Sequence, residues 1–106
     1  MKPLVAVALA VVLQGVATWY DAPSPSDAAA GPGLRTGDWR GRQVRVCATE
    51  CVVVRLTDWC ACGDRNGRPT LIDLDDEAFA RIAPLSAGVV SVTVEPVIAL
   101  PETSTE

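Results

Sequence analysis

Two short apolar runs, each closed by an aspartate, most constrain what this chain can fold into. Residues 52–57 are rich in β-branched side chains and are followed by Asp58; a second run, at residues 71–72, is followed by Asp73. Runs of this length and composition predict β-strands. Side chains alternate along a strand, so we expect Asp58 to share the inward face of its strand and to lie at the strand's end. The pattern predicts a small β-barrel with a site at its mouth.

Composition narrows the class of protein. The chain has 106 residues, which suits one domain, and its 49% hydrophobic content includes only one Phe and one Tyr. An aliphatic core of this kind favours a small barrel over a helical bundle. The net charge of −4 and a single lysine argue against a nucleic-acid partner, because phosphate binding needs a basic surface. Histidine is absent, which excludes histidine-based catalysis and histidine-ligated metals. We expect no metal and no cofactor.

The predicted elements are mostly strands. We expect strands at residues 15–20, 43–47, 51–57, 71–74 and 88–95, with the second and third paired as a hairpin. Residues 75–83 predict a short helix, because acids in its first turn complement the helix dipole and a proline follows it. Residues 21–33 hold three prolines, two serines and two glycines, so they predict a surface loop. Its run of three alanines is too short for a stable helix.

The N-terminus resembles a secretory signal. Lys2 precedes an apolar run at residues 4–13, which is too short to span a bilayer. We predict a signal-like segment at 1–14, a barrel domain at 15–96 and a tail at 97–106, with no stable membrane span. The alternative is that the apolar run is a buried strand of a cytoplasmic protein.

Four cysteines in a short exported chain predict two disulfides. If residues 52–57 are extended at roughly 3.3 Å per residue, Cys51 and Cys60 lie far beyond the roughly 4.4–6.8 Å Cα separation of a disulfide. Local pairing is therefore favoured, Cys47 with Cys51 across the hairpin and Cys60 with Cys62 in the following loop. A four-thiolate zinc site is the alternative.

Several ordered motifs resemble the double-psi β-barrel of the rare lipoprotein A group, which is related to expansins and barwin. They are GVATWY at 15–20, QVRV at 43–46, VVV at 52–54, TD at 57–58, IDL at 72–74, AF at 78–79 and GVVSV at 88–92. The resemblance implies an all-β fold, a six-stranded double-psi β-barrel with one short helix. It implies an exported, monomeric protein of the periplasm or cell wall that acts on or binds peptidoglycan.

The resemblance also suggests roles for individual residues. Asp58 and Asp73 occupy the acidic positions of the family's groove and are the candidate catalytic residues of a peptidoglycan lytic transglycosylase. Trp59, Tyr20 and Trp39 are candidate substrate-binding rings, since aromatic faces stack on sugars. The family's usual histidine and glutamate are missing from residues 27–44, and Trp59-Cys60-Ala61-Cys62 is nearer to barwin and expansins.

Other interpretations stay open from the sequence. Asp58 could cap the loop that follows it, and Asp73 could cap the helix. The four arginines at positions 35, 40, 42 and 45 could meet the carboxylates of peptidoglycan stem peptides or form a solvated charged face. The chain could be an enzyme, a non-catalytic expansin-like module that binds or loosens polysaccharide, or a barwin-like, disulfide-stabilised defence or inhibitor protein.

Overall fold

A computed structural model describes residues 11–98, which form a closed six-stranded β-barrel with one short helix. The elements are β1 (Leu13–Tyr20), β2 (Asp27–Ala30), β3 (Gln43–Cys47), β4 (Cys51–Trp59), β5 (Thr70–Asp75), α1 (Asp76–Ile82) and β6 (Val90–Pro96). This confirms the predicted fold class. The predicted signal-like segment and tail lie mostly outside the described residues, so the domain boundaries stay predictions.

The strands follow the order β1-β5-β2-β4-β3-β6 around the barrel. Thus β5 lies between β1 and β2, and β4 lies between β2 and β3. The pairs β1/β5 and β2/β4 are parallel, and the other four are antiparallel. Because parallel neighbours end at the same edge, the ends of β1 and β5 lie together, as do the ends of β2 and β4.

Alternation of side chains builds the core. Along β4, Val52, Val54 and Leu56 are buried, whereas Val53 and Arg55 between them are exposed. The hairpin partner β3 shows the same pattern. Branched aliphatic side chains pack well on a pleated surface, so the barrel interior needs few aromatic rings. The aliphatic core expected from the composition is therefore confirmed.

One helix covers the core where β5 ends. Asp75 is its N-cap, and its carboxylate accepts hydrogen bonds from the backbone N–H groups of Glu77 (2.6 Å) and Ala78 (3.4 Å). Phe79 and Ile82 are buried, as predicted for its apolar stripe. Asp73 therefore does not cap this helix. Within the described part of the chain, no helix is long and apolar enough to cross a membrane.

The prediction of a loop at residues 21–33 is wrong in its centre, where β2 lies. Alanine has a low strand propensity, but Ala28, Ala29 and Ala30 are all buried between β4 and β5. Their small side chains suit a strand that is hydrogen-bonded on both edges in a narrow barrel. Burial and pairing outweigh the local preference here.

Both disulfides join nearby cysteines, as predicted. Cys47 is bonded to Cys51 with a Cα separation of 4.0 Å, and Cys60 to Cys62 with a Cα separation of 5.1 Å. All four cysteines are paired, so the alternative of a thiolate zinc site is wrong.

Gly31 passes so close to the backbone of β5 that one added methyl group should lower the stability of the fold. A Cβ at this position would lie 2.3 Å from the carbonyl oxygen of Thr70 and 2.7 Å from that of Leu71. We expect Gly31→Ala to lower the free energy of unfolding by about 1–3 kcal/mol through overpacking. Gly63→Ala is the matched control, because nothing lies within 4 Å of its added Cβ. Urea unfolding of both variants checks this, and equal stability would contradict the packing at Gly31.

The hairpin disulfide should contribute little to stability. It closes a loop with a sequence separation of 4, for which the loop-entropy estimate is about 2 kcal/mol. We expect the double variant Cys47→Ser/Cys51→Ser to keep cooperative urea unfolding with a modestly lower midpoint. The intact mass of the unreduced parent should be about 4 Da below the all-thiol value, since each disulfide removes two hydrogens. Loss of cooperative unfolding in the variant would contradict the local pairing.

Candidate functional site

Four side-chain positions line up across adjacent strands on the outer face of the barrel. Thr18 of β1 is in register with Asp73 of β5, and Asp73 is opposite Ala29 of β2. On its other edge, Ala29 is in register with Asp58 of β4. We call these four residues the acidic row.

The acidic row brings the two predicted catalytic aspartates onto one surface without direct contact. Neighbouring strands are about 4.8 Å apart, so the Cα atoms of Asp58 and Asp73 are separated by about 10 Å. Ala28 and Ala30 belong to the core, so the methyl group of Ala29 lies on the outer face between the two carboxylates. Ala29 is only 3% exposed, so the accessible surface of the row comes from its polar side chains, above all the exposed Asp58.

The prediction that Asp58 shares the inward face of its strand is wrong. Ala28 is in register with Leu56, but Ala29 is in register with Asp58, so Thr57 is an extra residue at a β-bulge. A bulge reverses the alternation beyond it and re-aims the next side chain. Asp58 is exposed, and its carboxylate accepts a hydrogen bond from the backbone N–H of Trp59 at 2.8 Å. This local contact is of the loop-capping kind, and the rest of the carboxylate is open to solvent.

Asp73 lies in a more enclosed environment. Its carboxylate accepts a hydrogen bond from the Thr18 hydroxyl at 2.8 Å. Desolvation raises the pKa of Asp73, while the Thr18 hydrogen bond and the charge of Arg65 act in the opposite direction. The surroundings of Asp73 therefore favour its protonated acid.

Tyr20 lies on the same face, two residues beyond Thr18 on β1. Its hydroxyl oxygen is buried, and no hydrogen-bond partner for it occurs among residues 11–98. Burial raises the pKa of Tyr20, and the charges of Asp58 and Asp73 raise it further. The phenol therefore keeps its proton. The structure places Tyr20 near the acidic row, and its role as a substrate-binding ring stays a prediction.

Trp59 stands at the end of β4, next to Asp58. Its side chain is 55% exposed, which leaves ring surface for a ligand. The guanidinium carbon of Arg35 lies 5.5 Å from the ring centroid, within cation–π distance. The position beside the acidic row fits the predicted role of Trp59 as a stacking platform.

Trp39 is held differently. It is partly buried and packs against the hydrophobic core, and the guanidinium of Arg40 lies 4.5 Å from its ring centroid. Arg40 also donates a hydrogen bond to the carbonyl oxygen of Thr57 at 2.6 Å. The ring therefore helps to fix the loop against β4 and has less free surface than Trp59.

The predicted arginine cluster does not act as a unit. Arg35 and Arg40 are bound to backbone carbonyls and tryptophan rings, whereas Arg45 forms an exposed ion pair with Glu95 at 3.4 Å. Sequence reasoning missed the roles of Arg35 and Arg40, because it cannot show which carbonyl groups a loop arginine reaches.

Four cavities among residues 11–98 lie away from the predicted catalytic and substrate-binding residues. A cavity of about 470 Å³ is lined by apolar side chains that include Leu13, Leu34 and Ile98. Asp58 and Trp59 are exposed on the surface of the barrel instead. Among residues 11–98, no group of three or more potential metal-ligating side chains is arranged to hold an ion.

Solved structures of other proteins share this barrel. The Streptomyces papain inhibitor matches with a TM-score of 0.65 and 28% identity over 83% of this chain and 96% of the inhibitor. The apo form of the Clavibacter michiganensis expansin gives 0.67 and 20%, over 86% of this chain and 52% of the expansin. A point mutant of that expansin in complex with cellohexaose gives 0.69 and 19%, over 86% and 54%. This chain thus spans about half the expansin's length. No protein-family model and no curated protein matches it.

The raised pKa of Asp73 predicts a pH-dependent stability. Because the folded state holds this proton more tightly than the unfolded chain, the stabilising contribution is fully present below the unfolded pKa, near 3.9. It is lost as the pH rises through the higher folded pKa. We therefore expect Asp73→Asn to raise the urea midpoint at pH 7 and to give no gain at pH 3.

A second variant tests the cause of the shift. The hydrogen bond from Thr18 lowers the pKa of Asp73, so Thr18→Val should raise it further, as followed by NMR titration of the carboxyl carbon. A stability difference between Asp73→Asn and the parent that is the same at both pH values would contradict desolvation of this carboxylate.

Proposed function

We propose that this double-psi β-barrel protein is a secreted module that binds cell-wall polysaccharide, with peptidoglycan as its ligand. The observation that carries the proposal is the alignment of Asp58 and Asp73 across β2, with the exposed ring of Trp59 directly after Asp58 at the end of β4. The fold is shared with an expansin whose structure contains cellohexaose. That likeness supports the choice of polysaccharide as the ligand class.

The chemistry of this face suits a glycan. The carboxylates of Asp58 and Asp73 can accept hydrogen bonds from sugar hydroxyls. The exposed ring of Trp59 can stack on the apolar face of a sugar.

The two disulfides support secretion. Such bonds form and persist in oxidising compartments and are rare in the cytosol. They also agree with the expectation from the apolar N-terminal run, although that run lies outside the described residues apart from its last three positions.

The protein would be an enzyme if it also cleaved the glycan that it binds. In a lytic transglycosylase, a carboxylic acid protonates the glycosidic oxygen, and the C6 hydroxyl then closes on the anomeric carbon and returns a proton to the carboxylate. The pKa of Asp73, raised by desolvation, supports this residue for that role. The missing histidine and glutamate of the family pattern favour binding without cleavage.

Binding and turnover can be separated with two substitutions. Trp59→Ala should weaken binding to insoluble peptidoglycan by about 1–3 kcal/mol if sugar stacking resembles base–aromatic stacking. Asp58→Asn and Asp73→Asn keep the shape of the row, so binding should survive largely intact. Anhydro-muropeptides detected by mass spectrometry with the parent, and lost in an aspartate variant, would show that the protein is an enzyme.

Glu50→Gln is the matched control, because it removes an exposed carboxylate in the β3–β4 turn. It should bind peptidoglycan like the parent. Each variant must first show the parent's far-ultraviolet spectrum and urea midpoint, apart from the shift expected for Asp73→Asn. Parental binding by the Trp59→Ala and aspartate variants alike would place the functional surface elsewhere on the barrel.

Inhibition of a cysteine protease is the second candidate function. The observation that favours it is the match to the Streptomyces papain inhibitor, which runs over nearly the whole of that protein. Residual papain activity, measured against increasing amounts of the purified protein, tests this candidate. Stoichiometric inhibition without binding to polysaccharide would replace the first proposal by the second.

A further inference from the structure

Arg35 connects the ends of two strands at the edge of the acidic row. Its Nη1 donates hydrogen bonds to the carbonyl oxygens of Ala30 and Cys60, both at 2.9 Å. Ala30 is the last residue of β2, and Cys60 directly follows β4. The backbone N–H of Cys60 donates to the same Ala30 oxygen at 3.1 Å. The side chain therefore fixes the position at which the chain leaves β4.

The same guanidinium covers one side of Trp59. Its carbon lies 5.5 Å from the ring centroid, and two of its hydrogens are already used on carbonyl oxygens. A planar guanidinium can stack on a ring while its edge donates hydrogen bonds, which a lysine ammonium cannot do in the same way. Trp59 is still 55% exposed, so much of its ring surface is accessible although Arg35 lies over it.

The backbone around Arg35 is itself anchored. A 3₁₀ turn, Pro32–Leu34, precedes it, and the backbone N–H of Arg35 closes this turn on the carbonyl of Pro32 at 3.3 Å. At the start of the turn, Gly31 donates to the carbonyl oxygen of Leu71 in β5 at 2.8 Å. The arginine thus extends from a segment tied to the barrel wall.

We propose that Arg35 is a positioning residue that holds the ring of Trp59 in the orientation needed to stack on a sugar. This inference rests on the proposed polysaccharide-binding function. Arg35 acts through Trp59 and makes no required contact with the ligand. It lowers the number of orientations that the exposed ring must lose on binding, which favours affinity.

The first test reports on the ring without any ligand. In a Trp19→Phe/Trp39→Phe background, Trp59 is the only tryptophan, and its fluorescence can be quenched with acrylamide. Arg35→Ala should increase quenching and lower fluorescence anisotropy, because the covered face opens and the ring gains motion. Arg45→Ala is the matched control, since it removes an exposed arginine of β3. The ion pair that Arg45 forms with Glu95 contributes little to the free energy of unfolding.

The second test measures binding to cellohexaose and to insoluble peptidoglycan. Loss of an exposed cation–π contact and its ordering effect should weaken binding about 2- to 5-fold in Arg35→Ala. In a Trp59→Ala background, Arg35→Ala should cause no further loss, since a residue that acts only through the ring is coupled to it. Arg35→Lys keeps the charge, and we expect it to bind like Arg35→Ala.

The outcomes separate the two ideas. If the wild-type protein binds neither polysaccharide, the proposed function fails and the role of Arg35 fails with it. If the wild type binds but Arg35→Ala leaves quenching and affinity unchanged, the positioning role alone is overturned. Full affinity in Arg35→Lys, or losses for Arg35 and Trp59 that simply add, would likewise overturn it, because the arginine would then act by charge or independently of the ring.

Discussion

The pairing of β2 with both β4 and β5 is the contact on which the rest of this structure depends. A strand of only four residues completes the barrel between a parallel and an antiparallel neighbour. It fits there because Ala28 and Ala30 occupy little core volume and Gly31 passes within contact distance of the β5 backbone. The same strand sets the spacing of Asp58 and Asp73, because Ala29 is in register with both. The strand pairing that closes the barrel therefore also positions Asp58 and Asp73.

Much of this fold could be predicted from the sequence, and the exceptions have physical causes. The hairpin follows from the alternation in residues 43–47 and 51–57, and the helix from its acids and its apolar stripe. The site residues came from a family resemblance, and the structure places Tyr20, Asp58 and Asp73 on one face. The β2 strand was missed because alanine has little strand propensity and turn-forming residues surround it. The predicted inward orientation of Asp58 was wrong because the side-chain alternation before Thr57 gives no sign of the β-bulge there.

The outer face of the barrel carries features that packing alone does not explain. A partly desolvated carboxylate at Asp73 and a buried phenol at Tyr20 with no partner in the described region both lower stability. Together with its burial, the charges of Asp58 and Asp73 raise the pKa of the Tyr20 phenol. Local rules of this kind are usually broken where a surface serves binding or catalysis. The hydrophobic core below the row is regular and offsets these costs.

The β3–β4 hairpin has a consequence for how the barrel assembles. Within residues 11–98 it is the only pairing between strands that are neighbours in sequence, since every other strand pair closes a longer loop. Such topologies fold slowly, because loop-closure entropy is spent before non-local contacts form. The hairpin is thus the natural first element, and a slip of one residue in it would turn each core valine toward solvent. Once oxidised, Cys47 and Cys51 fix the register of the hairpin. This disulfide therefore matters more for folding to the native pairing than for the stability of the folded barrel.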